Sequence, residues 1–208
     1  MSSIKRDTYR KLFLLYAISR FSSGVMGKTR LQKAVYEATK RSPRKPFSYS
    51  YHNHGQFSVE VMDTCDALEL MEYISKTPLR SRKGFQYTLT GRGELTIILS
   101  LIGKVDSESR EAIDRAISEV GFLQERELIE RMHKELENQG KSFGDLLFTQ
   151  NLPEEVPAEE LTDSEAEDLD LLLSQEFSEA LDEIAEAATE MGFDVEKVKR
   201  VKRITSGL

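Results

Sequence analysis

"TPLRSRKGFQYTLTGRGELTIILSLIG" (77–103) holds two short strand patterns, 77–80 and 85–89, joined by the basic turn "RSRKG". Thr90 then stands where a helix N-cap belongs. Behind it Leu95, Ile98, Leu99 and Ile102 repeat at helical spacing. The segment predicts a hairpin that runs directly into a helix.

Upstream lies a third helix, expected over 58–75. Ser58 is a good N-cap, Glu60 favours the positive helix end, and Val61, Cys65 and Leu68 form the apolar line. The outer face carries Glu60, Asp63, Asp66, Glu69 and Glu72. "FSYSY" (47–51) alternates aromatic and serine, the period of a half-buried strand. "HNHG" (52–55) closes that strand, and Gly55 supplies the bend. His52 and His54 could share a strand face, but no cysteine or spaced histidine completes a zinc set, so no metal site is expected.

"KTRLQKAVYEATKR" (28–41) reads as a helix with Leu31, Ala34, Val35 and Ala38 inward. Thr29 and Gln32 have capping-box spacing. Arg30, Lys33, Glu37, Lys40 and Arg41 fall outside the stripe, and "SPRKP" (42–46) adds two cations in a loop. Residues 7–21 read as a core helix apolar nearly all round. Helix, helix, strand, helix and hairpin is the order of a winged helix-turn-helix. The expected fold class is mainly α with a small β-hairpin.

Downstream, helices are expected over 107–120 and 122–138. No lysine or arginine occurs from Ser142 to Glu196. "NLPEEVPAEELTDSE" (151–165) reads as an acidic linker and 163–191 as an amphipathic helix. The stripe of that helix includes Leu169, Leu172, Leu173, Phe177, Leu181 and Ile184. The basic tail "VEKVKRVKRI" (195–204) reads as a disordered end or a short basic helix. The domains expected are therefore a winged-helix domain at 1–104, a helical extension packed on it at 105–150, and an acidic arm at 151–208.

Residues 1–104 hold 18 Lys/Arg against 8 Asp/Glu, and 105–208 hold 11 against 28. A split of +10 and −17 points to a partner or to contact between the halves. No apolar run approaches the ~20 residues a membrane helix needs. The start lacks a signal-peptide pattern and Cys65 has no second cysteine to pair with, so a cytoplasmic protein is expected. Cys65 lies on an apolar stripe and reads as a small core residue. "GVMGKTR" lacks the Walker spacing, and the many carboxylates are dispersed. No catalytic set, cofactor or small-molecule substrate is evident, and the chain reads as a non-enzyme.

"GKTRLQKAVYEATKRS" (27–42), "FSYSYHNHGQFSVEV" (47–61) and "FQYTLTGRGEL" (85–95) together resemble the YwgA-like winged-helix family, distantly related to the Panacea (SocA-type) antitoxin domain. Gly27, Lys28, Thr29, Leu31, Gln32 and Lys33 match its helix-start motif. His54, Gly55, Gln56, Phe57 and Ser58 stand where the family has Tyr-Gly-Pro-Tyr-Ser, so this is a divergent match. It covers about residues 7–103.

Two functions follow as expectations. The first is DNA binding or DNA-linked regulation through Lys28, Arg30, Lys33, Lys40, Arg41, Arg44, Lys45, Arg80, Arg82, Lys83 and Arg92. The acidic outer face at 58–75 would repel phosphates, so contact would fall to the 28–41 helix and the hairpin turn. The second, which the relationship to Panacea domains implies, is an antitoxin-like or adaptor protein. It would bind a protein partner, or a second copy, through 163–191.

Overall fold

The computed structural model describes residues 3–52, 55–80, 84–100 and 104–157. The chain divides into a unit spanning Met1–Glu160 and a second spanning Leu161–Leu208. The expected helix at 163–191, with Leu169, Leu172, Leu173, Phe177, Leu181 and Ile184, lies outside the described residues.

In chain order the elements begin with β1 (Ser3–Lys5), α1 (Arg6–Ser19), β2 (Val25–Met26) and α2 (Lys28–Arg41). Next come β3 (Tyr49–His52), β4 (Gly55–Phe57), α3 (Val59–Leu70), β5 (Ile74–Pro78), β6 (Phe85–Leu89) and α4 (Gly91–Ser100). The last are α5 (Ser107–Ala116), a π turn (Ile117–Gly121), α6 (Glu125–Asn138), β7 (Leu146–Phe148) and β8 (Glu155–Pro157).

The expectation of a mainly α fold with one hairpin is corrected here. Among the described residues eight strands form three small sheets, and the fold is α/β. The expected hairpin is present as β5–β6, with Ile74 opposite Leu89 and Pro78 opposite Phe85. Its first strand starts three residues before the expected 77, and β2 joins as a third strand through Val25–Tyr87 and Met26–Gln86. A second sheet has the order β4-β3-β7, and a third pairs β1 with β8. The strand at 49–52 does not simply close there: it pairs antiparallel with β4, His52 standing opposite Gly55, before α3 begins. The added strands are two to four residues long. Such strands carry too little alternation to show as a period of two.

Helix α2 occupies the middle of the unit. Its apolar stripe is buried as expected, with Leu31, Ala34, Val35 and Ala38 at 1% exposure or less. Yet Gln32, Lys33, Glu37 and Thr39 are buried too, because α5, the π turn, α6 and β4 all pack on this helix. Its N-cap is Gly27 at φ 96°, which offers no side-chain cap, so the expected Thr29–Gln32 capping box does not form. Ser58 does cap α3, accepting from the Val61 N–H at 3.3 Å. Thr90 caps α4 in the same way through the Gly93 N–H.

The core is one cluster that runs through both expected domains. Phe13, Leu14 and Ile18 of α1 and Leu31 and Val35 of α2 join Ile113, Val120, Leu128 and Met132 from beyond residue 104. The expected boundary at 104/105 therefore does not separate two bodies. The boundary at 150/151 also moves. Val156 is fully buried, Leu152 is 4% exposed, and β8 pairs with β1. The Glu154 carbonyl accepts from the Arg6 N–H at 2.9 Å, filling one of the amide positions that a helix start leaves open. The first residues of the expected acidic linker are thus part of the core.

Among the described residues no helix is long and apolar enough to cross a membrane.

Candidate functional site

The two motifs at 27–33 and 54–58 meet in space. Gln32 reaches the junction of β4 and α3 and grips residue 58 through both its N–H and its carbonyl. Its Oε1 accepts from the Ser58 N–H at 3.0 Å, and its Nε2 donates to the Ser58 carbonyl at 2.9 Å. A side-chain amide here takes the place of a neighbouring strand. Lys33 donates from Nζ to the Gln56 carbonyl at 2.7 Å. These adjacent side chains of α2 hold the backbone of the hairpin in place.

Gly55 makes this approach feasible. Its φ is +86°, and a Cβ there would lie 2.9 Å from Lys33 Nζ. We expect Gly55→Val to cost about 1–3 kcal/mol in urea unfolding, mainly from the left-handed backbone. An unchanged midpoint would contradict that.

Lys33 is 1% exposed. No carboxylate lies within ion-pair distance among the described residues, and burial lowers its amine to about 7. The folded chain therefore binds fewer protons than the unfolded chain between about pH 7 and the ordinary 10.5. Stability should rise with pH across that window, by at most about 1.4 kcal/mol per unit from this group. Burial also raises Cys65 to about 12, which opposes the rise above its ordinary 9.0. The difference between the wild type and Lys33→Met isolates the lysine. We expect Lys33→Met to be the more stable protein near neutral pH by about 2 kcal/mol. That is the relief of a buried amine less the cost of an unpaired Gln56 carbonyl. The gap should close as pH rises toward 10.5. Parallel curves would contradict this.

The cations expected to meet DNA have varied placements. Lys33 is buried, which corrects its assignment as a DNA contact. Arg30 donates to the Gly121 carbonyl. Lys40 pairs with Glu135 of α6. Arg41 makes a two-pronged contact with Glu119 at 2.8 and 2.7 Å and also reaches Glu37 at 3.1 Å. Arg44 pairs with Asp106 at 3.3 Å and donates to the Pro157 carbonyl at 2.9 Å. Lys45 lies over the Phe148 ring and donates to the Lys40 carbonyl at 3.3 Å. Arg92 is exposed over the Tyr73 ring, and Lys28 is exposed with Nζ 4.9 Å from the Phe57 ring centre. Arg80 is exposed, while Arg82 and Lys83 lie outside the described residues. The charge split between the halves is thus used in part to seat α2 against α5, the π turn and α6. Arg20 adds a further pair with Asp114 at 2.7 Å.

Comparison of the chain with protein-family models and with curated protein sequences found no match.

A row of rings crosses the outside of the β3–β4 hairpin. Phe57 meets His52 edge-on at 5.3 Å between centres, His52 meets Phe143 at 5.9 Å, and Phe143 meets Tyr51 at 6.5 Å. Tyr51 shares a 2.8 Å hydrogen bond with His133 Nδ1 of α6. His133 is distant in sequence, but α6 brings it to this hairpin. Among the described residues no three metal-ligating side chains converge, and His54 lies outside them. Phe143 is 64% exposed. This ring row had no sequence signal, because its members come from β3, β4, α6 and the loop before β7.

Proposed function

We propose that the chain works by binding a protein partner, as an antitoxin-like or adaptor module, with the acidic segment 161–208 as its contact. The observation that carries this reading is the fate of five cations in α2 and the loop after it. Arg30, Lys33, Lys40, Arg41 and Arg44 are committed to carbonyls and carboxylates of the same unit. That withdraws most of the α2 cations from phosphates, which supply most of the attraction to duplex DNA, and leaves Lys28 with Arg80 and Arg92 exposed among the described ones.

The charge balance agrees. Residues 1–160 hold 24 basic and 23 acidic residues, a net of +1, so the body is nearly neutral without the arm. The outer face of α3 keeps Asp63, Asp66 and Glu69 exposed. Residues 161–208 carry 13 acidic and 5 basic residues with an apolar stripe at helical spacing. Such a segment suits a basic groove on another protein. The resemblance to the YwgA-like group, through its relationship to an antitoxin domain, points the same way.

The test is capture of one stoichiometric partner from the native source by the full chain. It is run beside Leu173→Glu with Phe177→Glu and beside a chain ending at Glu160. Loss of that partner in both altered chains supports the reading. Retention by the shortened chain contradicts the arm as the contact.

A further inference from the structure

We propose that the cleft between the start of α2 and the β3–β4 hairpin binds a phosphate-bearing small molecule. The cleft encloses about 310 Å³. Lys28, Thr29, Lys33, His52, Gln56 and Phe57 line it, and no carboxylate does among the described residues. That volume lies at the small end of ligand sites, about 300–1,000 Å³. It exceeds the needs of a bare phosphate and suits one with a compact organic group.

Three features point to an anion. Lys33 spends one of its three donors on the Gln56 carbonyl, and its buried amine faces no carboxylate. An arriving phosphate would supply the missing charge and favour proton uptake at Nζ. Gln56 is 1% exposed, and its amide is left without a well-formed hydrogen bond. The Tyr36 hydroxyl is a polar neighbour of its amide NH2, which leaves the Oε1 acceptor open. A buried amide left in this state is costly and is the kind of group a ligand satisfies. Finally, α2 starts on Gly27 with no side-chain cap and no acidic residue in its first turn. Its open N–H groups and positive end lie beside Lys28 and Thr29.

Phe57 and His52 would form the wall for the organic part. Lys28 is held over Phe57 at the mouth, where it can meet the phosphate first. Of the cations held within the unit the cleft uses Lys33 alone, which keeps two donors beyond the Gln56 carbonyl, and the inference is independent of the acidic arm.

The experiment titrates the full chain with inorganic phosphate, adenosine 5′-monophosphate and adenosine. Calorimetry gives affinity, and amide shifts of Thr29 and Gly55 report the place. Saturable binding of phosphate and of the monophosphate is expected, with adenosine silent. Lys28→Ala and Lys33→Met should each weaken binding at least about tenfold, the worth of one charge-assisted hydrogen bond. Lys28 is exposed, so its loss leaves the fold intact and keeps the test valid if Lys33→Met is perturbed. Lys134→Ala, on the exposed side of α6, should change nothing. No saturable binding at millimolar phosphate and monophosphate, adenosine binding as well as its phosphate, or affinity untouched by Lys28→Ala would overturn the proposal.

Discussion

A chain ending at Asn151 is expected to lose at least about 4 kcal/mol of stability, whereas one ending at Glu160 should melt as cooperatively as the full chain. Leu152 and Val156 are both buried in the central core. Side chains of this kind contribute about 1.5–3 kcal/mol each when fully buried. Their removal also strips β1 of its partner strand and leaves the start of α1 without the Glu154 carbonyl. The loop at 43–48 loses support as well, since Leu152 follows the Gln150–Asn151 pair that grips Ser48 and Lys45. A domain of this size commonly has only about 5–15 kcal/mol in total. Thermal and urea unfolding of the two shortened chains decide the point. Equal stability would place the body's end before residue 152, against the β1–β8 pairing.

Asp106→Ala should cost about 3 kcal/mol. This carboxylate serves three elements at once. Its Oδ1 caps α5 by accepting from the Ser109 N–H at 2.8 Å, and its Oδ2 accepts from the buried Tyr9 hydroxyl at 2.9 Å. It also faces Arg44 at 3.3 Å. Loss of the cap alone costs about 1 kcal/mol. The remainder is a partly buried guanidinium and a phenol with one partner fewer. Asp106→Asn keeps the cap and removes the charge, so it should fall between the two. Burial, with the Asp106 charge beside it, raises the Tyr9 hydroxyl above its ordinary range, and the group stays neutral through the physiological window. A loss under about 1 kcal/mol in chemical denaturation would show that Arg44 and Tyr9 find other partners.

Helices were the legible part of this sequence. The bounds and stripe of α2 follow from Leu31, Ala34, Val35 and Ala38, and Ser58 and Thr90 cap where they are expected to. The hairpin β5–β6 was legible from its strand pattern and basic turn. What stayed hidden depends on contact across long separations. Residues 3–5 and 155–157 are too short to show a period, and only their pairing makes them strands. Lys33 and Glu37 lie off the apolar stripe and would face water on an isolated helix, but two further layers cover them. Of the expected site, Lys28, Lys40, Arg80 and Arg92 are exposed, Arg30, Arg41, Arg44 and Lys45 are half-buried, and Lys33 alone of the described cations in that set is buried. A charge count cannot separate a cation that meets phosphate from one that meets Glu119 or Asp106. The Gln32–Lys33 pair was visible as a motif, yet a capping or DNA role for it gives way to its grip on the Gln56–Ser58 backbone.

If Arg30, Lys33, Lys40 and Arg41 of α2 serve packing and the target is a protein, as proposed, duplex DNA should not bind the body. A salt titration of labelled duplex DNA with the chain ending at Glu160 tests this most directly, because the acidic arm cannot mask the body. No saturable binding is expected even at about 50 mM salt, since a body of net +1 with Lys40, Arg41 and Arg44 in ion pairs neutralises few phosphates. Tight binding that falls roughly a thousandfold between about 50 and about 200 mM, and that Lys28→Glu with Arg80→Glu abolishes, would contradict it.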